Sequence, residues 1–129
     1  MLIGVLFHPR KPESKPLAAE IIAWLNERDY NTWLGSNWDA EEVHKRTAES
    51  DFLIVLGGDG SILRATRFAV PYDTVIIGIN LGRVGFLSEA EPTAWEPVLE
   101  QVLAGDFWVE RRLMLQAHLY RNEALIGQY

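Results

Sequence analysis

The sequence predicts an α/β fold, a doubly wound and mostly parallel sheet followed by the start of an antiparallel β region. Three observations carry this. Four short apolar runs, at Leu2–Phe7, Thr32–Leu34, Phe52–Leu56 and Thr74–Ile79, alternate with segments of helical periodicity. Two of the runs lead straight into glycine-rich turns. The last stretch, Phe107–Tyr120, leaves this rhythm for strict two-residue alternation.

Leu2–Phe7 is apolar throughout, as a parallel strand covered on both faces requires. His8-Pro9-Arg10-Lys11-Pro12 is a loop by its prolines, and a helix is expected from about Ser14 with Leu17, Ile21 and Leu25 on one face and Trp24 beside them. Asp29-Tyr30-Asn31 ends it, and a short strand follows at Thr32–Leu34. Asp39 reads as an N-cap with Glu42 as its capping-box partner, opening a mostly polar surface helix over Ala40–Ala48. His44 on that helix reads as a solvent-facing residue. The next strand, Phe52–Leu56, enters Gly57-Gly58-Asp59-Gly60-Ser61 and continues as a helix, Ile62–Phe68, stopped by Pro71. Thr74–Ile79 enters the second glycine segment, Asn80 to Leu87. Trp95, Val98, Leu99, Val102 and Leu103 form one helical stripe, with Pro97 in the first turn and Gly105 at the C-terminal cap. Phe107–Tyr120 reads as a long half-exposed strand, Asn122-Glu123 as a hairpin turn, and 124–127 as the partner strand.

Composition narrows the function classes. With 48% apolar and 23% charged residues the chain is of ordinary globular type. No apolar run approaches the roughly 20 residues that span a bilayer. The N-terminus has neither a basic region nor a small-residue cleavage site, so the expectation is a cytoplasmic protein without membrane attachment. The absence of cysteine excludes disulfides, thiolate metal sites and a thiol nucleophile. A net charge of −6 speaks against broad nucleic-acid binding but leaves room for a small anionic ligand. Arg64, Arg67 and Arg83 stand near the two glycine segments.

The chemistry is concentrated in Gly57–Ser61. A glycine turn between a strand and a helix presents unpaired N–H groups, and with the helix dipole it favours anions. A bare anion cradle gains nothing from a carboxylate in its middle, so Asp59 asks for a role. Two fit: holding Mg²⁺ beside a phosphate, or taking a proton from an attacking hydroxyl. The turn lacks the Gly-Lys-Ser/Thr of a Walker A loop and the glycine spacing of the dinucleotide fingerprint. In the second segment Phe86 either stacks on a base or fills the core. Phosphate binding by His8-Pro9-Arg10-Lys11 is open too, with solvated loop charges as the alternative.

Gly57-Gly-Asp-Gly-Ser-Ile-Leu-Arg64 together with Gly78-Ile-Asn-Leu-Gly-Arg-Val-Gly-Phe-Leu87 resembles the NAD kinase family. The first motif is shared with diacylglycerol and sphingosine kinases and phosphofructokinases, while the second is more particular to NAD kinases. The resemblance extends to Glu110–Leu115 and so runs over essentially the whole chain. It implies a Rossmann-like, phosphofructokinase-like fold, with residues 1–105 as the nucleotide-binding domain and 106–129 as the first strand or hairpin of an incomplete β domain. It implies transfer of the γ-phosphoryl group of ATP, or of polyphosphate, to the adenosine-ribose 2′-hydroxyl of NAD, giving NADP, with Mg²⁺ or another divalent ion. Asp59 then falls on the general base. Gly58, Asp59, Gly60, Arg64, Asn80 and Phe86 fall on the nucleotide-binding positions, Arg64 near a ligand phosphate and Phe86 near the adenine. Ser61 stands where threonine is common in that family and keeps the hydroxyl. The family's second, β-rich domain, with its Asn-acid motif, has no counterpart here, because Asn122-Glu123 comes too soon after the preceding strand. The expectation is an N-terminal portion that is weak or inactive alone, from a protein that assembles as a homo-oligomer. The alternatives are a stand-alone NAD- or ATP-binding module without turnover, and a lipid kinase of the diacylglycerol type, against which the Asn80–Leu87 loop speaks.

Overall fold

The computed structural model describes every residue except Asn37, Asp39, 82–86, Ser88, Glu89 and Tyr129, together with the side chains of Ala40, Ile126 and Gln128. Four six-residue strands, β1 (Leu2–Phe7), β2 (Asn31–Ser36), β3 (Phe52–Gly57) and β4 (Val75–Asn80), form one parallel sheet in the order β2-β1-β3-β4. The helices between them are α1 (Ser14–Asn26), α2 (Ala40–Thr47) and α3 (Asp59–Ala69), and α4 (Trp95–Leu103) follows β4.

Both faces of the sheet are covered, which explains the unbroken apolar runs. Ile3 and Val5 of β1 and Phe52, Ile54 and Leu56 of β3 pack against Ile21 and Leu25 of α1 and Trp95 and Leu99 of α4. The alternate residues, Leu6, Leu53 and Val55, pack with Val43 of α2 and Ile62, Ala65 and Phe68 of α3. β3 is central and wholly buried. Thus α2 is less peripheral than its polar composition suggests, since Val43 and Thr47 are buried beneath it. His44 is half-buried, its ring set edge-on to Tyr72.

Helix ends follow the punctuation in the sequence. Asp29 takes a left-handed conformation (φ 63°), and the Tyr30 N–H donates to the Leu25 carbonyl, closing α1. Gly105 (φ 80°) does the same for α4, with Gly105 N–H donating to the Val102 carbonyl and Asp106 N–H to the Gln101 carbonyl. The Asp39 cap expected for α2 lies outside the described residues. α3 begins at Asp59 rather than Ile62, so the acid of the glycine turn is already helical.

The long strand expected over Phe107–Tyr120 is not formed. Residues 106–117 have no regular secondary structure and are exposed, and strand geometry starts only at β5 (His118–Arg121). Alternation says which face a strand would bury, but a strand also needs a neighbour to bond, and β5 finds one only in β6 (Ala124–Gln128). The expected hairpin is present. Asn122 and Glu123 have φ of 50° and 65°, the paired positive values of a two-residue turn whose twist matches its strands.

Candidate functional site

In the order β2-β1-β3-β4 the chain leaves β1 toward one side of the sheet and returns to build the other, so the crevice beyond the ends of β1 and β3 is the topological switch point. A cavity of about 300 Å³ lies there. His8 and Lys11, following β1, form one wall; Gly58, Gly60, Ser61 and Arg64, following β3, form the other; Trp38, beyond β2, contributes an aromatic edge.

The three glycines of the turn have different duties. A Cβ on Gly57 (φ 153°) would collide with Ser61, standing 2.6 Å from its Cβ, so this position is fixed by the close approach of helix to strand. A Cβ on Gly58 or Gly60 would meet nothing within 4 Å. There glycine serves no internal contact; it leaves the backbone N–H groups bare toward the cavity. Gly58 is the N-cap of α3 and Gly60 sits in its first turn, where N–H groups lack intrahelical partners. Arg64 follows Gly60 by four residues and therefore shares its helix face.

Asp59 is the first residue of α3, where the helix dipole favours its charge. Its Oδ1 accepts a hydrogen bond from the Leu87 N–H at 3.0 Å. That bond ties the first glycine segment to the second. Asn80, 2% exposed, is in register with Gly57 at the ends of β4 and β3, and the Leu81 N–H donates to the Gly57 carbonyl at 3.1 Å. Gly58, Asp59, Gly60, Arg64 and Asn80 are thus gathered around the ends of two adjacent strands. Phe86 and Arg83 lie outside the described residues, and Arg67 does not line the cavity.

His8, Lys11 and Trp38 complete the cavity, and only the sequence HPRK gave any sign of this. The His8 N–H donates to Ser14 Oγ, whose hydroxyl donates back to the His8 carbonyl, so the loop is pinned to the start of α1. The Arg10 N–H donates to His8 Nδ1 at 3.1 Å. Burial, with Lys11, Arg10 and Arg64 nearby, holds the imidazole below its ordinary pKa of 6.5.

Fold and site together define the class: a doubly wound α/β chain with an acid-bearing glycine turn at its switch point. The model of the ATP-NAD kinase N-terminal domain matches residues 27–107. The chain belongs to the NAD kinase family. It is 37% identical over 127 residues to an NAD kinase of Heliobacterium modesticaldum, covering 93% of this chain and 45% of that protein. It is 36% identical over 122 residues to one from Dehalococcoides mccartyi (95% and 43%), and 34% identical over 131 residues to one from a Shewanella species (95% and 42%). The chain therefore spans less than half the length of these curated relatives. Among the described residues no helix is long and apolar enough to cross a membrane.

Proposed function

We propose that this chain carries the base and the phosphate-binding turn of an enzyme that moves the terminal phosphoryl group of ATP, or of polyphosphate, to the adenosine-ribose 2′-hydroxyl of NAD, giving NADP. The observation that carries the reading is Asp59 held by the Leu87 amide between two glycines whose missing side chains open onto a cavity. A ribose hydroxyl is a poor nucleophile, and Asp59 takes its proton as the oxygen attacks phosphorus. The bond from the terminal phosphorus to the bridging oxygen of ADP breaks as the new one forms. Bare N–H groups of the turn and Arg64 stabilise the charge that spreads over the transferring oxygens.

The described residues contain no cluster of three His, Asp or Glu side chains. A divalent ion such as Mg²⁺ fits here as one held chiefly by donor phosphates, with Asp59 as the carboxylate on the turn. When bound it would neutralise charge on those phosphates. A cytoplasmic location and homo-oligomeric assembly belong to the same proposal and rest on the family resemblance.

Because the relatives are more than twice as long, we expect NAD to be gripped largely by residues outside the matched region. The 129-residue chain should bind ATP yet form NADP only in trace amounts, all of it lost in Asp59→Asn. An enzymatic cycling assay for NADP decides the matter. Turnover by this chain at the roughly 1–100 s⁻¹ usual for kinases would refute the expected weakness, and NADP formation unchanged in Asp59→Asn would refute the base.

A further inference from the structure

We propose that the cavity between the β1 loop and the first turns of α3 is a subsite for a chain of phosphates, and that Trp38 is the positioning residue that assembles its cations. The Arg10 guanidinium lies over the Trp38 ring, 4.5 Å from its centroid, and that of Arg64 lies 4.8 Å from the same centroid. The His8 ring is 6.0 Å away. One indole thus gathers guanidinium groups from two separate elements, each by cation–π attraction. Lys11 lines the same cavity.

Three positive side chains in one place repel one another, and an acidic chain has ample means to neutralise them. Yet among the described residues none of Arg10, Lys11 and Arg64 is in an ion pair. An anion between them relieves the repulsion, and the Gly58 and Gly60 amides at the α3 N-terminus supply donors from the other side. The size and lining select the anion. At about 300 Å³ the cavity is at the small end for a ligand site, too roomy for one carboxylate. Its one large aromatic, Trp38, is already engaged with two guanidiniums, so the site reads phosphates and leaves a nucleobase unread. Nucleoside triphosphates and inorganic polyphosphate share that chemistry. The inference rests on the proposed function only in taking this phosphate chain to be the tail of the phosphoryl donor.

The test is calorimetric titration of the chain with inorganic tripolyphosphate, ATP and adenosine. Tripolyphosphate and ATP should bind within about fivefold of each other and adenosine not at all, because the contacts are all to phosphate. Arg10→Gln and Lys11→Gln should each weaken both ligands about tenfold, as loss of a charge-assisted contact does. Trp38→Ala should do the same with an unchanged melting temperature, while Trp38→Phe, which keeps a ring face, should retain most of the affinity. ATP binding far tighter than tripolyphosphate would overturn the proposal, as would Arg10→Gln and Lys11→Gln variants that bind like the wild type. Trp38→Phe as weak as Trp38→Ala would overturn the role of the ring. Asp59→Asn should still bind tripolyphosphate. If NADP chemistry fails while that binding stands, the kinase reading falls and the phosphate subsite survives.

Discussion

Replacing the turn glycines one at a time separates packing from ligand clearance. In Gly57→Ala the new Cβ meets Ser61 in the first turn of α3 and must also hold φ near 153°. Overpacking costs about 1–3 kcal/mol and the backbone strain about 1–3 kcal/mol, against a gain of about 0.4–1 kcal/mol from a stiffer unfolded chain. The net expectation is a loss of about 3 kcal/mol, or a melting temperature lower by roughly 12 °C at about 4 °C per kcal/mol for a chain of this size. Gly60→Ala is the opposite case. Its Cβ meets nothing within 4 Å and its backbone is helical, so alanine should add about 0.5–1 kcal/mol and raise the midpoint by roughly 2–4 °C. The same methyl group stands where a phosphate must approach the amides, so ATP affinity should fall at least about tenfold. Thermal unfolding followed by circular dichroism and a calorimetric ATP titration measure both halves. Gly57→Ala losing less than about 0.5 kcal/mol would refute the packing half. Gly60→Ala binding ATP as the wild type does would refute the clearance half.

Other expectations follow from the same geometry. Asp59→Asn keeps an oxygen for the Leu87 N–H and should leave the melting temperature within about 1 °C, a surface-like change of under about 0.5 kcal/mol. His8, held below pH 6.5 by burial and by Lys11, Arg10 and Arg64, favours the neutral ring when folded. Its contribution to stability is complete above pH 6.5 and lost as pH falls from there through the folded pKa. An NMR titration assigned with His8→Gln should show a midpoint below 6.5 that rises when tripolyphosphate is bound; a midpoint above 6.5 in the free chain would contradict it. Trp95 is 4% exposed and meets Trp24 edge-on at 5.5 Å, so Trp95→Ala should cost about 3–5 kcal/mol in denaturant unfolding.

The sheet was legible because parallel strands covered on both faces must be apolar at every position, and Leu2–Phe7 and Phe52–Leu56 are. The start of α1 at Ser14 and the closing of α4 at Gly105 were legible from local chemistry, since proline and glycine constrain the backbone whatever surrounds them. Phe107–Tyr120 misled because alternation is a statement about faces, whereas a strand exists only where a neighbour completes its hydrogen bonds. In the site, Gly57–Ser61 announced itself through an acid that a phosphate cradle has no need of. Trp38 and His8 gave no such sign. They reach the cavity from the ends of β2 and β1, and only the strand order brings those ends beside β3. Periodicity gives the strands; it does not give their order.

The most direct test exchanges this chain for the matched 127-residue region of the Heliobacterium modesticaldum NAD kinase and follows NADP formation from NAD and ATP. The expected result is a folded, active chimera whose turnover drops at least about a hundredfold in Asp59→Asn, the usual contribution of a general base, while ATP binding persists. A folded Asp59→Asn chimera that makes NADP at the unmutated rate would contradict the assignment of Asp59 as the base of the transfer.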